Sequence, residues 1–108
     1  MTEIDNELFT LIEAVKRSNT YKEYDRCRIA LKSDPALMQR VDKYREENYR
    51  LQTQDDDGTL QDRIDKFAKD NMELSEMPRV RAFLDAELAL CRMLQEITDR
   101  VIRAIDFE

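Results

Sequence analysis

Apolar residues recur every three or four positions along almost the whole chain, which is the spacing of an amphipathic α-helix. The first stretch places one face at Ile4, Leu8, Leu11, Ile12 and Val15. The second stretch carries Tyr21, Tyr24, Cys27 and Leu31. Thr20 and Glu23 have the spacing of a capping box, so the second helix is predicted to begin there. Because no Gly or Pro enforces a break at Ser18-Asn19-Thr20, a kink in one helix is an open alternative.

The boundaries of the third and fourth predicted helices are marked by stronger sequence signals. Asp34 is a good N-cap residue and Pro35 suits the first helical position, so a third helix is predicted to begin there. It ends near Asp55-Asp56-Asp57-Gly58, which holds the only glycine. Thr59 then begins a fourth predicted helix that continues through Leu74.

Pro78 marks the start of a fifth and last predicted helix, and no helix-breaking residue follows before Phe107. At a rise of 1.5 Å per residue it would be about 43 Å long. A compact domain of this length is only about 34 Å across. The helix would therefore extend beyond its own domain, and its apolar stripe would need a second chain to cover it. We expect an all-α subunit of five helices in an intertwined or closely packed homodimer.

The stripe of the last helix supplies the predicted core and dimer-packing residues. They are Val80, Phe83, Leu84, Leu88, Cys91, Leu94, Ile97 and Val101. Glu87 falls on the same side, where an unpaired buried carboxylate is costly. We expect Glu87 to lie at the rim or to pair with a basic residue across the dimer interface.

The composition of the chain excludes several classes of function. Among 108 residues there is no histidine, which excludes Ser-His-Asp and Cys-His nucleophile systems and the usual zinc sites with histidine. A net charge of −6 argues against direct nucleic-acid binding. The longest apolar run, Leu88–Cys91, cannot span a bilayer, and the polar, acidic start is no signal peptide. We therefore expect a cytoplasmic protein with no membrane contact.

Two features resemble metal sites. If Gly58 is placed at position six of a calcium loop, position twelve is Ile64 instead of the bidentate Glu that calcium needs. A solvated turn is the better interpretation. Cys27 and Cys91 could hold a metal or an iron–sulfur cluster only if a dimer brought four thiolates together. Both lie on apolar stripes, where cysteine usually packs as a small hydrophobe, so we expect no cofactor.

Exposed aromatic and basic side chains are the candidates for partner binding. Tyr21, Tyr24 and Tyr44 lie on core stripes, whereas Tyr49 is predicted to be exposed. Most arginines of the last helix alternate with acidic residues, which is typical of a solvated face. The predicted partner surface comprises Tyr49, Arg79 and Arg81.

The ordered motifs resemble the YlbF/YmcA family of small bacterial helical proteins, from about Ile4 to Phe107. The motifs are Ser18-x-x-Tyr21-x-x-Tyr24, Leu31-x-x-Asp34-Pro35, Pro78-x-Val80-x-x-Phe83-Leu84-x-Ala86-Glu87 and Ile102-x-x-Ile105-Asp106-Phe107. The resemblance implies one helical, dimer-forming domain over residues 1–108 without enzymatic activity. Family members regulate competence, sporulation and biofilm formation through protein complexes, including ones linked to RNA processing by RNase Y, and some carry iron–sulfur clusters.

The chain departs from that family pattern in two places. It has no clustered cysteines near its C-terminus, which argues against a cluster. Met77 stands where a capping residue is expected, so Ser75 or Glu76 is an alternative start for the last helix. The sequence therefore predicts a non-enzymatic regulatory protein that binds itself and another cytoplasmic protein. The alternative is a small redox or metal-binding protein that uses Cys27 and Cys91 across a dimer.

Overall fold

The computed structural model describes residues 2–106, and within that range every regular element is an α-helix. Met1, Phe107 and Glu108 lie outside the described residues, so the Phe107 end of the family motif is not part of this description. The helices are α1 (Thr2–Arg17), α2 (Asn19–Lys32), α3 (Pro35–Thr53), α4 (Leu60–Asp70), α5 (Met72–Glu76) and α6 (Pro78–Ala104). The all-α prediction is confirmed.

Ser18 separates α1 from α2, so the chain forms two helices here instead of one kinked helix. Its hydroxyl donates to the carbonyl oxygen of Val15 at 2.6 Å and accepts from the backbone N–H of Tyr21 at 3.1 Å. One side chain thus serves the last turn of α1 and the first turn of α2. The predicted cap at Thr20 is wrong, since Thr20 lies inside α2 and Ser18 performs this role.

Asp34 begins α3 as the sequence predicts. Its Oδ1 accepts a hydrogen bond from the backbone N–H of Leu37 at 3.2 Å, and Pro35 occupies the first helical position. Proline has no N–H to leave unsatisfied there, so the two residues together give a sharp helix start.

The turn between α3 and α4 contains Gly58, whose φ of 93° lies in the left-handed region that favours glycine. Thr59 precedes α4, but its side chain makes no capping hydrogen bond. Its backbone N–H and hydroxyl instead donate to Oδ1 of Asp57, at 3.0 and 2.6 Å. The acidic run therefore organises its own turn, as short carboxylate side chains commonly do.

The prediction of five helices is wrong, because the described chain contains six. The fourth predicted helix ends at Asp70, where the side-chain amide of Asn71 donates to the carbonyl oxygen of Phe67 at 2.8 Å. The short α5 then ends at Glu76 and is followed by Met77, whose ψ is 130°. A residue before proline is pushed out of the helical region by the proline ring, so α6 begins at Pro78 and neither Ser75 nor Glu76 starts it.

The chain divides into two compact units, and the boundary falls within α2 and within α6. The described parts of residues 1–28 and 83–108 form the first unit, whose buried residues are Cys27, Phe83 and Ala86. There the rings of Tyr24 and Phe83 lie 5.7 Å apart. The expectation of a single domain over residues 1–108 remains a prediction.

Residues 29–82 form the second unit, which holds more of the buried apolar residues than the first. Tyr44 of α3 stacks on Phe67 of α4 with ring centroids 5.2 Å apart. The buried residues of this unit are Leu31, Leu37, Val41, Leu51, Leu74 and Val80. These residues come from four helices, α2, α3, α5 and α6, so the core of this unit joins all four.

Candidate interaction surfaces

The side chains of the apolar stripe of α6 are buried at the start of the helix and more exposed towards its C-terminal end. Val80 and Phe83 are fully buried, and Leu84 and Ile97 are half-buried. Leu88, Leu94 and Val101 keep about half of their surface exposed, and Cys91 is exposed as well. The proximal part of the predicted packing stripe thus lies in the core of a single chain. The distal part lies on its surface, where a dimer interface remains a prediction.

Helix α1 has no buried residue, although its sequence is strongly amphipathic. Its exposed apolar side chains are Ile4, Leu8, Phe9, Leu11 and Ile12. The sequence places Ile4, Leu8, Leu11 and Ile12 on one helical face, but it does not indicate that a single chain leaves about half of that face exposed.

An apolar groove lies between α1 and the distal part of α6, with a volume of about 410 Å³. It is lined by Leu8, Leu11, Ile12, Val15, Lys16, Tyr21, Leu90, Leu94, Ile97 and Thr98. Only Lys16, Tyr21 and Thr98 bring polar groups to it, so the groove suits an apolar helix face better than a charged ligand. We call it the α1–α6 groove.

The predicted partner residues lie in the second unit. Tyr49 is 70% exposed, as the sequence predicts, and Arg81 is exposed. Nη2 of Arg79 lies 3.3 Å from Oδ2 of Asp34 at the start of α3. Tyr49 follows Asp34 by 15 positions, or about 22 Å along a helix. The three residues therefore do not form a compact cluster, and any surface they share is elongated.

Glu87 is half-buried on α6, within the first unit. This agrees with a rim position within one chain. The ion pair across a dimer interface remains a prediction, as it needs a second chain.

The two cysteines are free thiols in different surroundings. Cys27 is buried and its thiol lies 3.5 Å from Oε1 of Glu23, to which it donates. Burial, followed by the hydrogen bond and the charge of Glu23, raises the pKa of the Cys27 thiol. A raised pKa lowers the thiolate fraction and with it the reactivity. Cys27 thus packs as the sequence predicts, whereas burial of Cys91 would need a second chain.

Sequence reasoning missed a second groove, between α3 and α4. Its volume is about 380 Å³ and its lining is mixed: Glu47, Arg50, Leu51, Gln54, Arg63, Lys66, Phe67 and Asp70. Its basic residues already have acidic neighbours, for example Lys66 with Asp70 at 2.6 Å and Arg50 with Glu46. The sequence feature that could have indicated this groove is the mixture of acidic and basic residues on both sides of Phe67.

Arg63 connects that groove to the acidic turn. Its Nε donates to the Thr59 hydroxyl at 3.2 Å, Nη1 donates to Gln54, and Nη2 lies 3.4 Å from Oδ1 of Asp57. The hydrogen bonds from Thr59 and the charge of Arg63 lower the pKa of Asp57. The solvated turn that the sequence predicts is thus held by a guanidinium.

Residues 2–106 contain no group of three or more His, Cys, Asp or Glu side chains placed to hold a metal ion. Over the same part of the chain, no helix combines the length and apolar character needed to cross a membrane.

The model of a family described as "Control of competence regulator ComK, YlbF/YmcA" matches residues 4–106. No curated protein and no solved structure matches the chain significantly.

Proposed function

Because this chain belongs to the YlbF/YmcA family, we propose that it is a regulatory protein that acts by binding other proteins and has no enzymatic activity of its own. The observation that carries the proposal is the family match, which covers residues 4–106 and therefore nearly the whole chain. The family description, control of the competence regulator ComK, sets the process as competence and related development.

The surfaces described above support a binding role. Large apolar side chains remain exposed on α1, on the distal part of α6 and at Tyr49. Contiguous exposed apolar surface in a small protein commonly marks an interaction site. We propose that the chain forms a homodimer in the cytoplasm, and that Tyr49, Arg79 and Arg81 face a second, different protein.

The chemistry of those three residues suits a protein partner. Tyrosine and arginine are enriched among the residues that contribute most to interface energies, because each combines a large contact area with hydrogen bonding. Arg79 already pairs with Asp34, but exposed ion pairs contribute little, so the guanidinium can exchange partners at small cost.

Deletion of the gene in its native host, followed by complementation, tests the proposal. We expect deletion to change the expression of competence genes and the wild-type chain to restore it. A Tyr49→Ala, Arg81→Glu double variant should fail to restore it. Met72→Ala is the matched control, since Met72 is also an exposed apolar residue of the second unit and lies outside the proposed surface.

The same variants decide the mechanism in extracts. Affinity purification should recover another protein in near-stoichiometric amount with the wild type and with Met72→Ala, and much less with the double variant. Recovery of the chain alone would contradict a role in protein complexes. Unchanged competence after deletion would contradict the regulatory role.

A further inference from the structure

Helix α1 presents an amphipathic face that its own chain covers only in part. Ile4, Leu8, Leu11 and Ile12 are between 40% and 60% exposed, and no residue of the helix is buried. A short helix gains most of its stability from packing that face, so α1 in isolation would be marginal. Something is therefore expected to pack on it.

The α1–α6 groove beside this face has an apolar lining that suits another helix. Leu8, Leu11 and Ile12 form one wall, and Leu90, Leu94 and Ile97 form the other. Recognition of a helix in a groove requires apolar anchors at helical spacing, and α1 itself carries them at positions 4, 8, 11 and 15.

The exposed apolar area of the first unit matches the need of a stable dimer. Ten large side chains of that unit are about one third to two thirds exposed: Ile4, Leu8, Phe9, Leu11, Ile12, Leu88, Leu94, Val101, Ile102 and Ile105. Together they expose apolar surface on the order of 800 Å². A standard stable interface buries about 800 Å² on each partner, so a second copy would supply a matching surface.

The charges of α1 are self-complementary. Its first turn carries Glu3 and Asp5, and its last turn carries Lys16 and Arg17. Two copies of α1 that run antiparallel across a two-fold axis bring the acidic end of each against the basic end of the other. An isologous contact between identical helices uses one charge gradient twice in this way.

We propose that the α1–α6 groove of each chain receives α1 of a second copy, with the two α1 helices antiparallel across a two-fold axis. This inference deepens the homodimer of the proposed function by naming the surface and the orientation. The partner is a second copy of this chain, because both the apolar area and the charge gradient are matched by the chain itself.

Light scattering over a range of protein concentrations gives the first test. The wild type should show twice its monomer mass of 12.9 kDa. Ile12→Asp places a charge in the groove and should raise the dimer dissociation constant at least tenfold. Ile29→Asp is the matched control, since it makes the same substitution at a position of the other unit that is 59% exposed and should keep the wild-type mass. A monomeric wild type, or an Ile12→Asp protein as dimeric as the wild type, would overturn the proposal.

Charge variants at exposed positions provide a test that does not depend on a core change. Glu3→Lys with Asp5→Lys makes both ends of α1 positive, and Lys16→Glu with Arg17→Glu makes both ends negative. Each variant alone should dimerise more weakly than the wild type. Mixed together, they should form heterodimers well above the random share in native mass spectrometry, with the excess falling as salt is added. A random distribution would overturn the antiparallel α1 contact, even if Ile12→Asp fails to fold.

The outcomes separate this inference from the proposed function. A dimer that recovers no other protein from extracts contradicts the proposed function and leaves the α1 contact standing. A monomeric chain that still binds a partner through Tyr49 and Arg81 contradicts the α1 contact and the homodimer, and leaves the regulatory role standing.

Discussion

Oδ2 of Asp34 lies 3.3 Å from Nη2 of Arg79, although the two residues are 45 positions apart in the chain. The same carboxylate caps α3 through Oδ1, which accepts from the backbone N–H of Leu37. One side chain therefore begins α3 and also binds the first turn of α6, both within the second unit. The cap is local and could be predicted from Asp34-Pro35, whereas the ion pair could not.

Substitutions at Asp34 separate these two contributions. Asp34→Ala removes both and should lower the free energy of unfolding by about 1 kcal/mol, mostly through the lost cap. Asp34→Asn keeps a good capping side chain and removes only an exposed ion pair, so the loss should stay below about 0.5 kcal/mol. Urea denaturation at one fixed protein concentration measures both values. Equal losses would show that the ion pair, and not the cap, stabilises this helix start.

Phe83 should be the most sensitive apolar position of the first unit. It is 1% exposed, and its ring lies 5.7 Å from the ring of Tyr24. Phe83→Ala leaves a cavity and should cost about 3–5 kcal/mol. Ile29→Ala, at a position that is 59% exposed, is the control and should stay within about 0.5 kcal/mol of the wild type. Thermal and urea unfolding followed by circular dichroism give the comparison, and a tolerant Phe83 would contradict the described core.

The two thiols should differ in their reaction with an alkylating reagent at neutral pH. Cys27 is buried and its pKa is raised, so its thiolate fraction is small and its sulfur is hard to reach. We expect Cys91 to be labelled many times faster in dilute native protein and the two rates to converge in urea. Mass spectrometry of the separate peptides measures each rate. Faster labelling at Cys27 would contradict its burial.

Cys91 also reports on the predicted dimer packing of α6. If a second chain covers it, its labelling rate should fall as the protein concentration rises, while the rate at Cys27 stays low throughout. A Cys91 rate that does not depend on concentration would remove Cys91 from the predicted interface.

Asp57 should make part of the stability depend on pH. Its pKa is lowered in the folded chain by the hydrogen bonds from Thr59 and by Arg63. A lowered pKa means that the stabilisation is present above the unfolded value, which is about 3.9 for aspartate, and is lost as the pH falls through the folded value. The difference between wild type and Asp57→Asn should thus be largest at neutral pH and shrink in acid. Urea unfolding at several pH values measures it, and a difference that grows in acid would contradict the described turn.

Protein purified without oxygen should be colourless and contain no bound metal by elemental analysis. The chain has two cysteines and no histidine, and one of the cysteines is a buried thiol with a raised pKa. A stoichiometric metal or an iron–sulfur absorption band would instead favour the alternative in which Cys27 and Cys91 bind a cofactor across a dimer.

The sequence predicted the helices well where a local rule sets the boundary. Asp34-Pro35 and Pro78 mark real starts, and Gly58 lies in a real turn. It misplaced boundaries where two local signals compete. Ser18 caps α2 although Thr20 has the capping-box spacing, and Asn71 ends α4 although the apolar period continues to Leu74.

The candidate surfaces were harder to predict, because exposure depends on which faces meet. Tyr49 was correctly expected at the surface, since it lies off the apolar stripe of α3. Leu94 and Val101 share a stripe with the buried Phe83, yet they remain exposed on a single chain. Periodicity alone cannot distinguish these positions.

The sequence by itself determined the helical class, the sharpest helix boundaries and the family, because these depend on local backbone chemistry and on the order of short motifs. Only the tertiary structure decided that the apolar face of α1 is left partly uncovered, that Asp34 binds Arg79, and that the tail of α6 is exposed while its start is buried. The reason is physical. An apolar face has the same sequence pattern whether it packs within its own chain or against a second chain. Only the packed fold shows which faces are already covered.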